Sequence, residues 1–257
     1  MDKTKIAHRT VNILGFNLFS SSNQQLLEKL KIHLSRKNDP LIIFTPNAEQ
    51  LTQANSNPNF SRYLRQSDIL LPDGVSLVLA SKLLAFFRKK QSLNERIAGV
   101  DLTESLLAIA QDKGYSTLVV GGRGYHQLIK DSQKIGDRCW KLAKNLHWTP
   151  AYQQYSKKTA QEEQLLEDCI TKLHPQIVLV ALGAPHQEEW ILKHYELLQK
   201  NDCRIVIAVG GALDMILGKL KRAPLWMRKL GLEWLYRLVQ EPWRWKRQLR
   251  LIKFNWL

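Results

Sequence analysis

The stretch IVLVALGAPHQEEWILK, Ile177–Lys193, decides the fold. Its first six residues are apolar, rich in Val and Ile, with no polar residue to mark a solvent face. A half-exposed strand alternates, whereas an unbroken run of this length is a strand covered on both sides. Gly183 and Pro185 end the run, and a helix over Pro185–Gln199 follows from a proline start. A doubly covered strand followed at once by a helix is one unit of a parallel sheet held between helix layers.

The same grammar recurs along the chain. Leu41–Phe44, Ile69–Leu71, Thr117–Val120 and Ile205–Val209 read as buried strands beside Ile177–Leu182. Gln24–Ser35 sets Leu27, Leu30 and Leu34 on one helical face, Asp101–Ala110 and Gln161–Leu173 have similar spacing, and the apolar run Val75–Leu84 is helix-like. This alternation predicts an α/β fold: a Rossmann-like parallel sheet with helices on both faces over residues 1–218. Residues 219–257 differ in kind and read as a basic, Trp-rich helical appendage.

At 257 residues, 44% hydrophobic and 24% charged, the chain suffices for one sizeable core plus that appendage. The polar start MDKTKIAHRT does not read as a signal peptide, and no run approaches a membrane span. Cys139, Cys169 and Cys203 stand far apart without metal spacing, which predicts reduced thiols in a cytoplasmic setting. The net charge of +15 is unevenly placed: from Lys219 onward eleven Lys or Arg oppose only Glu233 and Glu241. That segment also holds five of the eight tryptophans.

In sheets of this class ligands bind at the carboxyl ends of the strands, so the residues just after each strand should be the unusual ones. They are TPNAEQ (Thr45–Gln50), PDG (Pro72–Gly74), GGRG (Gly121–Gly124), GAPHQEEW (Gly183–Trp190) and GGALD (Gly210–Asp214). Gly-rich turns let backbone N–H groups approach a phosphate, which nominates Gly121, Gly122, Gly210 and Gly211. No dinucleotide-binding G-x-G-x-x-G and no phosphate-loop lysine motif is present. In LPDGVSLVLA, Leu71–Ala80, the local sequence favours Asp73 as a turn residue that caps the next helix, with a catalytic base as the second reading.

The appendage predicts three short helices, Leu225–Leu230, Leu232–Gln240 and Trp243–Phe254, punctuated by Pro224 and Pro242. A basic helix with interleaved Trp fits an anionic membrane surface, a nucleic-acid patch or a lid over the cleft. Trp and Leu beside Lys and Arg fit an interfacial helix better than one that reads bases, so no nucleic-acid partner is expected.

Taken together, TPNAEQL, LPDGVSLV, NERIAGVDL, LVVGG, GAPHQEEWI and VGGALDMILGKLKRAPLWMRKLGLEWLYRLVQEPWRWKR resemble the WecG/TagA/CpsF glycosyltransferase family along nearly the whole chain. The resemblance implies transfer of a sugar, N-acetylmannosamine or its uronic acid, from UDP to a polyprenyl-diphosphate-linked acceptor. It implies that Asp73 is the catalytic base and that Thr45, Asn47 and Gln187 line the pocket; Arg96 and Asp214, within the quoted motifs, are further candidates for binding the substrate. It also implies that the basic appendage closes over the donor and touches the inner face of the membrane, with Arg222, Arg228 and Arg237 as candidates for the diphosphate. A homo-oligomer is left open. The chain departs from the family at His186, where a lysine is usual, and in GGRGYHQLIK and HWTPAYQQY. Those departures bear on the choice of sugar. UDP-glucose or UDP-glucuronate is the alternative donor.

Sugar transfer needs a proton acceptor for the attacking hydroxyl and compensation for charge on the leaving diphosphate. Asp73 supplies the first, and a base opposite UDP implies inversion. No D-x-D triplet offers a metal site, so arginines and backbone N–H groups are expected to supply the second without a metal cofactor. His186 and Thr45 read equally as ligand contacts and as ordinary loop residues. Glu188 and Glu189 read as first-turn helix carboxylates.

Overall fold

The structure is a computed structural model that describes residues 8–88, 91–135, 139–242 and 245. A hairpin of β1 (Thr10–Ile13) and β2 (Phe16–Phe19) opens the chain, followed by α1 (Asn23–Leu34). Then come β3 (Leu41–Phe44), α2 (Ala48–Ser56), α3 (Pro58–Arg65), β4 (Ile69–Leu70), α4 (Val75–Arg88) and α5 (Gly99–Lys113). The middle of the chain runs β5 (Thr117–Gly121), α6 (Tyr125–Leu128), β6 (Gln133–Lys134), β7 (Trp140–Ala143), β8 (Leu146–Thr149) and α7 (Ala160–Leu173). It continues through β9 (Ile177–Ala181), α8 (His186–Lys193), α9 (Tyr195–Lys200), β10 (Ile205–Ala208) and α10 (Ala212–Ile216) to α11 (Leu225–Lys229) and α12 (Glu233–Gln240).

The main sheet has the order β4-β3-β10-β9-β5-β8-β7-β6. From β4 to β8 every neighbour is parallel, and β7 and β6 extend it antiparallel. All five expected strands are present. Period-two alternation within each sends its side chains to opposite layers. Val178 and Val180 of β9 join a cluster with Leu166 and Ile170 of α7 and Trp190 and Ile191 of α8. Ile177 and Leu179 join Leu26, Leu30 and Leu34 of α1 and Leu102 and Leu106 of α5 on the other face. Both faces are thus covered, which is why the strands contain no polar register.

Three expectations need correction. The single helix over Pro185–Gln199 is two, broken at His194, whose Nδ1–H donates to the Trp190 carbonyl (2.8 Å) and whose Nε2 lies 3.0 Å from Glu163 Oε1. Leu26, not Leu27, is the fully buried partner of Leu30 and Leu34. The cysteines are not three separate thiols: Cys139, just before β7, is bonded to Cys169 of α7, and only Cys203 is free and buried. Thirty residues separate that pair in sequence, and the sheet brings the two elements together. The first two appendage helices form as α11 and α12, while Trp243–Phe254 lies almost entirely outside the described residues.

Candidate active site

The loops after β4, β3, β10, β9 and β5 line one carboxyl edge of the sheet in that spatial order. Asp73 stands at the β4 end. Its N–H donates to Pro46 O (3.2 Å) and Ile97 N–H donates to Pro72 O (3.1 Å), which stitches the β3 loop, the β4 loop and the approach to α5 together. The Asp73 carboxylate accepts the Gly99 backbone N–H at the start of α5, a helix whose own N-cap, Ala98, has no side chain to offer. Asp73 does meet an orphan helix amide, but that of α5 across the cleft.

Arg96 donates to Asp73 Oδ1 from Nε (3.4 Å) and Nη2 (3.3 Å). Thr45 closes the other side: its hydroxyl donates to Ala208 O (3.1 Å), and a Cβ on Gly99 would lie 3.3 Å from Thr45 Oγ1 and 3.5 Å from Asp73 Oδ2. Asp73 therefore shares a small space with Thr45, Gly99 and Arg96, its side chain 29% exposed toward the cleft. Removal from water pushes the Asp73 carboxyl above its ordinary value, Arg96 opposes this, and Glu233 adds to it.

Asn47 is placed at the same edge as the N-cap of α2, where its side chain accepts the Gln50 N–H (2.9 Å). Gln187 is buried between the loops after β9 and β10: it accepts the Gly210 N–H (3.1 Å) and donates to Glu188 Oε1 (3.0 Å). Glu188 is the residue that sequence reasoning underrated. Its Oε2 is buried without a hydrogen-bond partner, and burial pushes its carboxyl up to about 7. A first-turn carboxylate is ordinarily solvated, and nothing in the local spelling marks this one as enclosed.

The glycines divide. Gly122 lies so close to Tyr125 that no Cβ fits, and Gly121 abuts Ala181 and Leu182, so packing accounts for both. Gly122 nonetheless lines a cavity of about 320 Å³ with Arg123, Tyr152, Tyr155, Leu182 and His186, at the ends of β5, β8 and β9. Gly210 adopts φ +53°, which turns its N–H toward Gln187. Asp214 accepts from the Tyr125 hydroxyl (3.1 Å), with Lys219 Nζ at 3.8 Å. Of the nominated tail arginines, Arg222 is engaged by Asp101 (2.6 Å) and Glu104 (3.6 Å), while Arg237 reaches the β10 loop and packs on Gly211.

Comparison with known proteins shows the family. The family model described as "Glycosyl transferase WecG/TagA/CpsF family" matches residues 11–257. The chain belongs to the WecG/TagA/CpsF glycosyltransferase family. It is 32% identical over 247 residues to a Bacillus subtilis (strain 168) protein named N-acetylglucosaminyldiphosphoundecaprenol N-acetyl-beta-D-mannosaminyltransferase, covering 96% of this chain and 90% of that one. Relatives with the same name are 32% identical in Bacillus spizizenii (85% and 78% covered) and 27% identical in Staphylococcus aureus (94% and 87% covered). As a member of this family the chain is a transferase. Two carboxylates that the sequence did not nominate also lie near these loops: Glu188 beside Gln187, and Glu233, whose Oε2 is 2.7 Å from Arg96 Nη2.

Among the described residues one group, Glu163, Glu167 and His194, is clustered closely enough to hold a cation. It lies on α7 and α8–α9, where the Lys193 ammonium already sits 2.5 Å from Glu163.

Proposed function

We propose that this transferase moves N-acetylmannosamine, or its uronic acid, from a UDP-sugar to the GlcNAc of a polyprenyl-diphosphate acceptor, with inversion and at the cytoplasmic face of the membrane. The observation that carries the reading is Asp73: a carboxylate of raised proton affinity, open to the cleft, in a chain that matches mannosaminyltransferases over nearly its whole length. Raised proton affinity is what a general base for a sugar hydroxyl needs. From Asp73 to the Tyr155–His186 cavity the carboxyl edge crosses four inter-strand spacings, roughly 19 Å. That length suits an extended nucleotide-sugar, with the sugar at the Asp73 end and the nucleotide in the cavity.

Charge on the departing diphosphate falls to Arg237 and to backbone N–H groups of the β10 loop, where a guanidinium and the start of α10 converge. No metal is assigned a part, so transfer should persist in excess EDTA. The appendage acts as both lid and membrane contact, and no helix among the described residues is long and apolar enough to cross a membrane.

The deciding experiment offers the purified chain UDP-N-acetylmannosamine, its uronic acid, UDP-glucose and UDP-glucuronate with a lipid-diphosphate-GlcNAc acceptor. Turnover with the mannosamine donors supports the reading. Turnover confined to a glucose or glucuronate donor would replace the sugar while leaving the mechanism.

A further inference from the structure

Arg96 serves two carboxylates. Its Nη2 lies 2.7 Å from Glu233 Oε2 and 3.3 Å from Asp73 Oδ1. Glu233 opens α12, so the appendage delivers it into the body, where its side chain is only 12% exposed. A second cation steadies it: Arg222 Nε stands 3.7 Å from Glu233 Oε1 while the same guanidinium is anchored to Asp101 and Glu104. One of only two acids in a segment of eleven cations is therefore placed against the arginine that pairs with the candidate base.

A guanidinium has a fixed fork of donors, and the shorter contact takes the larger share of its charge-assisted hydrogen bonding. With Arg96 wholly on Asp73, an opposite charge in direct contact would hold that carboxyl ionised and make it a weak base. We propose that Glu233 is a positioning residue for the transfer: it draws Arg96 off Asp73, so that the catalytic carboxylate keeps its affinity for the acceptor's proton, and does so only while α12 is seated on the body. This rests on the reading of Asp73 as the base. The groups facing Asp73 are Arg96, the Gly99 N–H and Glu233, with Arg222, Asp101 and Glu104 behind Glu233. Lid closure and base strength become one event. With the appendage lifted, Arg96 relaxes onto Asp73 and proton abstraction is suppressed, which protects the donor while no acceptor is in place.

The test uses the full chain carrying Glu233→Gln, with Glu233→Asp as a variant that retains the charge but withdraws it from contact. The Asp73 titration is read by carboxyl carbon NMR, assigned with Asp73→Asn, and the pH profile of kcat is measured on the same proteins. Losing a like charge and gaining the whole of Arg96 both lower a carboxyl pKa, so in Glu233→Gln the Asp73 midpoint should fall by at least about half a unit. The acid limb of kcat should move down with it, and the plateau should fall roughly three- to tenfold as the base weakens, with KM for the donor little changed. Glu233→Asp should fall between. An Asp73 midpoint unmoved in both folded variants overturns the proposal, and so does a lower kcat with an unshifted profile, which would make Glu233 merely structural. Since NMR reads the carboxyl without turnover, a shifted midpoint alongside a fully active Asp73→Asn would instead remove the base assignment and the catalytic part of this inference with it.

Discussion

The Arg237 guanidinium lies directly on Gly211, so close that a Cβ there would overlap its Nη2. Arg237 is held in that pose from one turn away, its Nε donating to Glu241 (2.9 Å). Arg222 is bound to three carboxylates, whereas Arg237 lies against the β10 loop, where the proposed function puts the diphosphate.

Gly211→Ala isolates that contact. Gly211 has φ −89°, an ordinary angle for alanine, so the backbone accepts the change and only the tip of a flexible side chain must move. The melting temperature should stay within a few degrees while kcat/KM for the donor falls at least about tenfold. Steady-state kinetics with varied donor beside a thermal melt would read both. An unaltered kcat/KM would move the diphosphate contact elsewhere, to Arg228 first.

Asp73→Asn keeps the shape of the side chain and can still meet the Gly99 amide, but it cannot take a proton. The folded variant should lose roughly 10²–10⁴ in turnover with donor binding retained. Near-normal turnover would return Asp73 to a structural part as acceptor for the start of α5.

Much of this was legible before the structure. Runs such as Leu41–Phe44 and Ile205–Val209 are legible because a strand covered on both sides has no polar alternative, and the post-strand rule then placed Thr45, Asp73, Gln187 and Gly210 on one edge. The β6–β8 hairpin was missed because Trp140–Ala143 and Leu146–Thr149 carry Lys and His at half-exposed positions and lack a continuous apolar run. Glu233 was missed for another reason. Its partner Arg96 is 137 residues away, and no local pattern encodes a contact made by a returning appendage. Its rarity in a cationic segment was the one available signal.

Glu188 ties stability to pH. The sign follows from direction: its folded carboxyl sits near 7, above the ordinary 4.5, so the folded state holds a proton that the unfolded chain releases. Stability is therefore lost as pH rises from about 4.5 to about 7, by an amount on the order of 3 kcal/mol for this residue. Glu188→Gln resembles the protonated acid and can still accept from Gln187 Nε2, so it should flatten that slope and be the more stable protein at pH 8. Urea midpoints for both proteins between pH 5 and 8 would show it. Parallel curves would mean that Glu188 is ionised and solvated in the folded protein.

The proposed membrane contact can be assigned to apolar side chains exposed on both body and appendage. Leu77, Val78 and Ser81 turn one face of α4 into the core, while Leu79, Leu83, Phe86 (81% exposed) and Phe87 (73%) turn an apolar face outward. A helix apolar on both faces needs a second apolar partner. Val75 at the start of α4 touches Gly231, beyond which α11 and α12 expose Leu225, Trp226, Leu230, Trp234 and Val239. Lys82 on α4 and Lys221 in the appendage are exposed as well, and the chain carries +15 overall, which favours an anionic lipid surface over a second equally cationic copy. The full chain should therefore pellet with anionic vesicles and be released by salt, since screening weakens each basic contact of about 1 kcal/mol. Phe86→Ser with Phe87→Ser leaves every basic residue in place but removes apolar insertion worth about 1.5–3 kcal/mol per ring. Its vesicle partitioning at moderate salt should drop at least tenfold, while turnover on a soluble acceptor analogue is retained. Unchanged partitioning of that variant would confine the contact to the appendage. A wild-type chain that stays in the supernatant at low salt but sediments as a dimer would assign the apolar face to self-association instead.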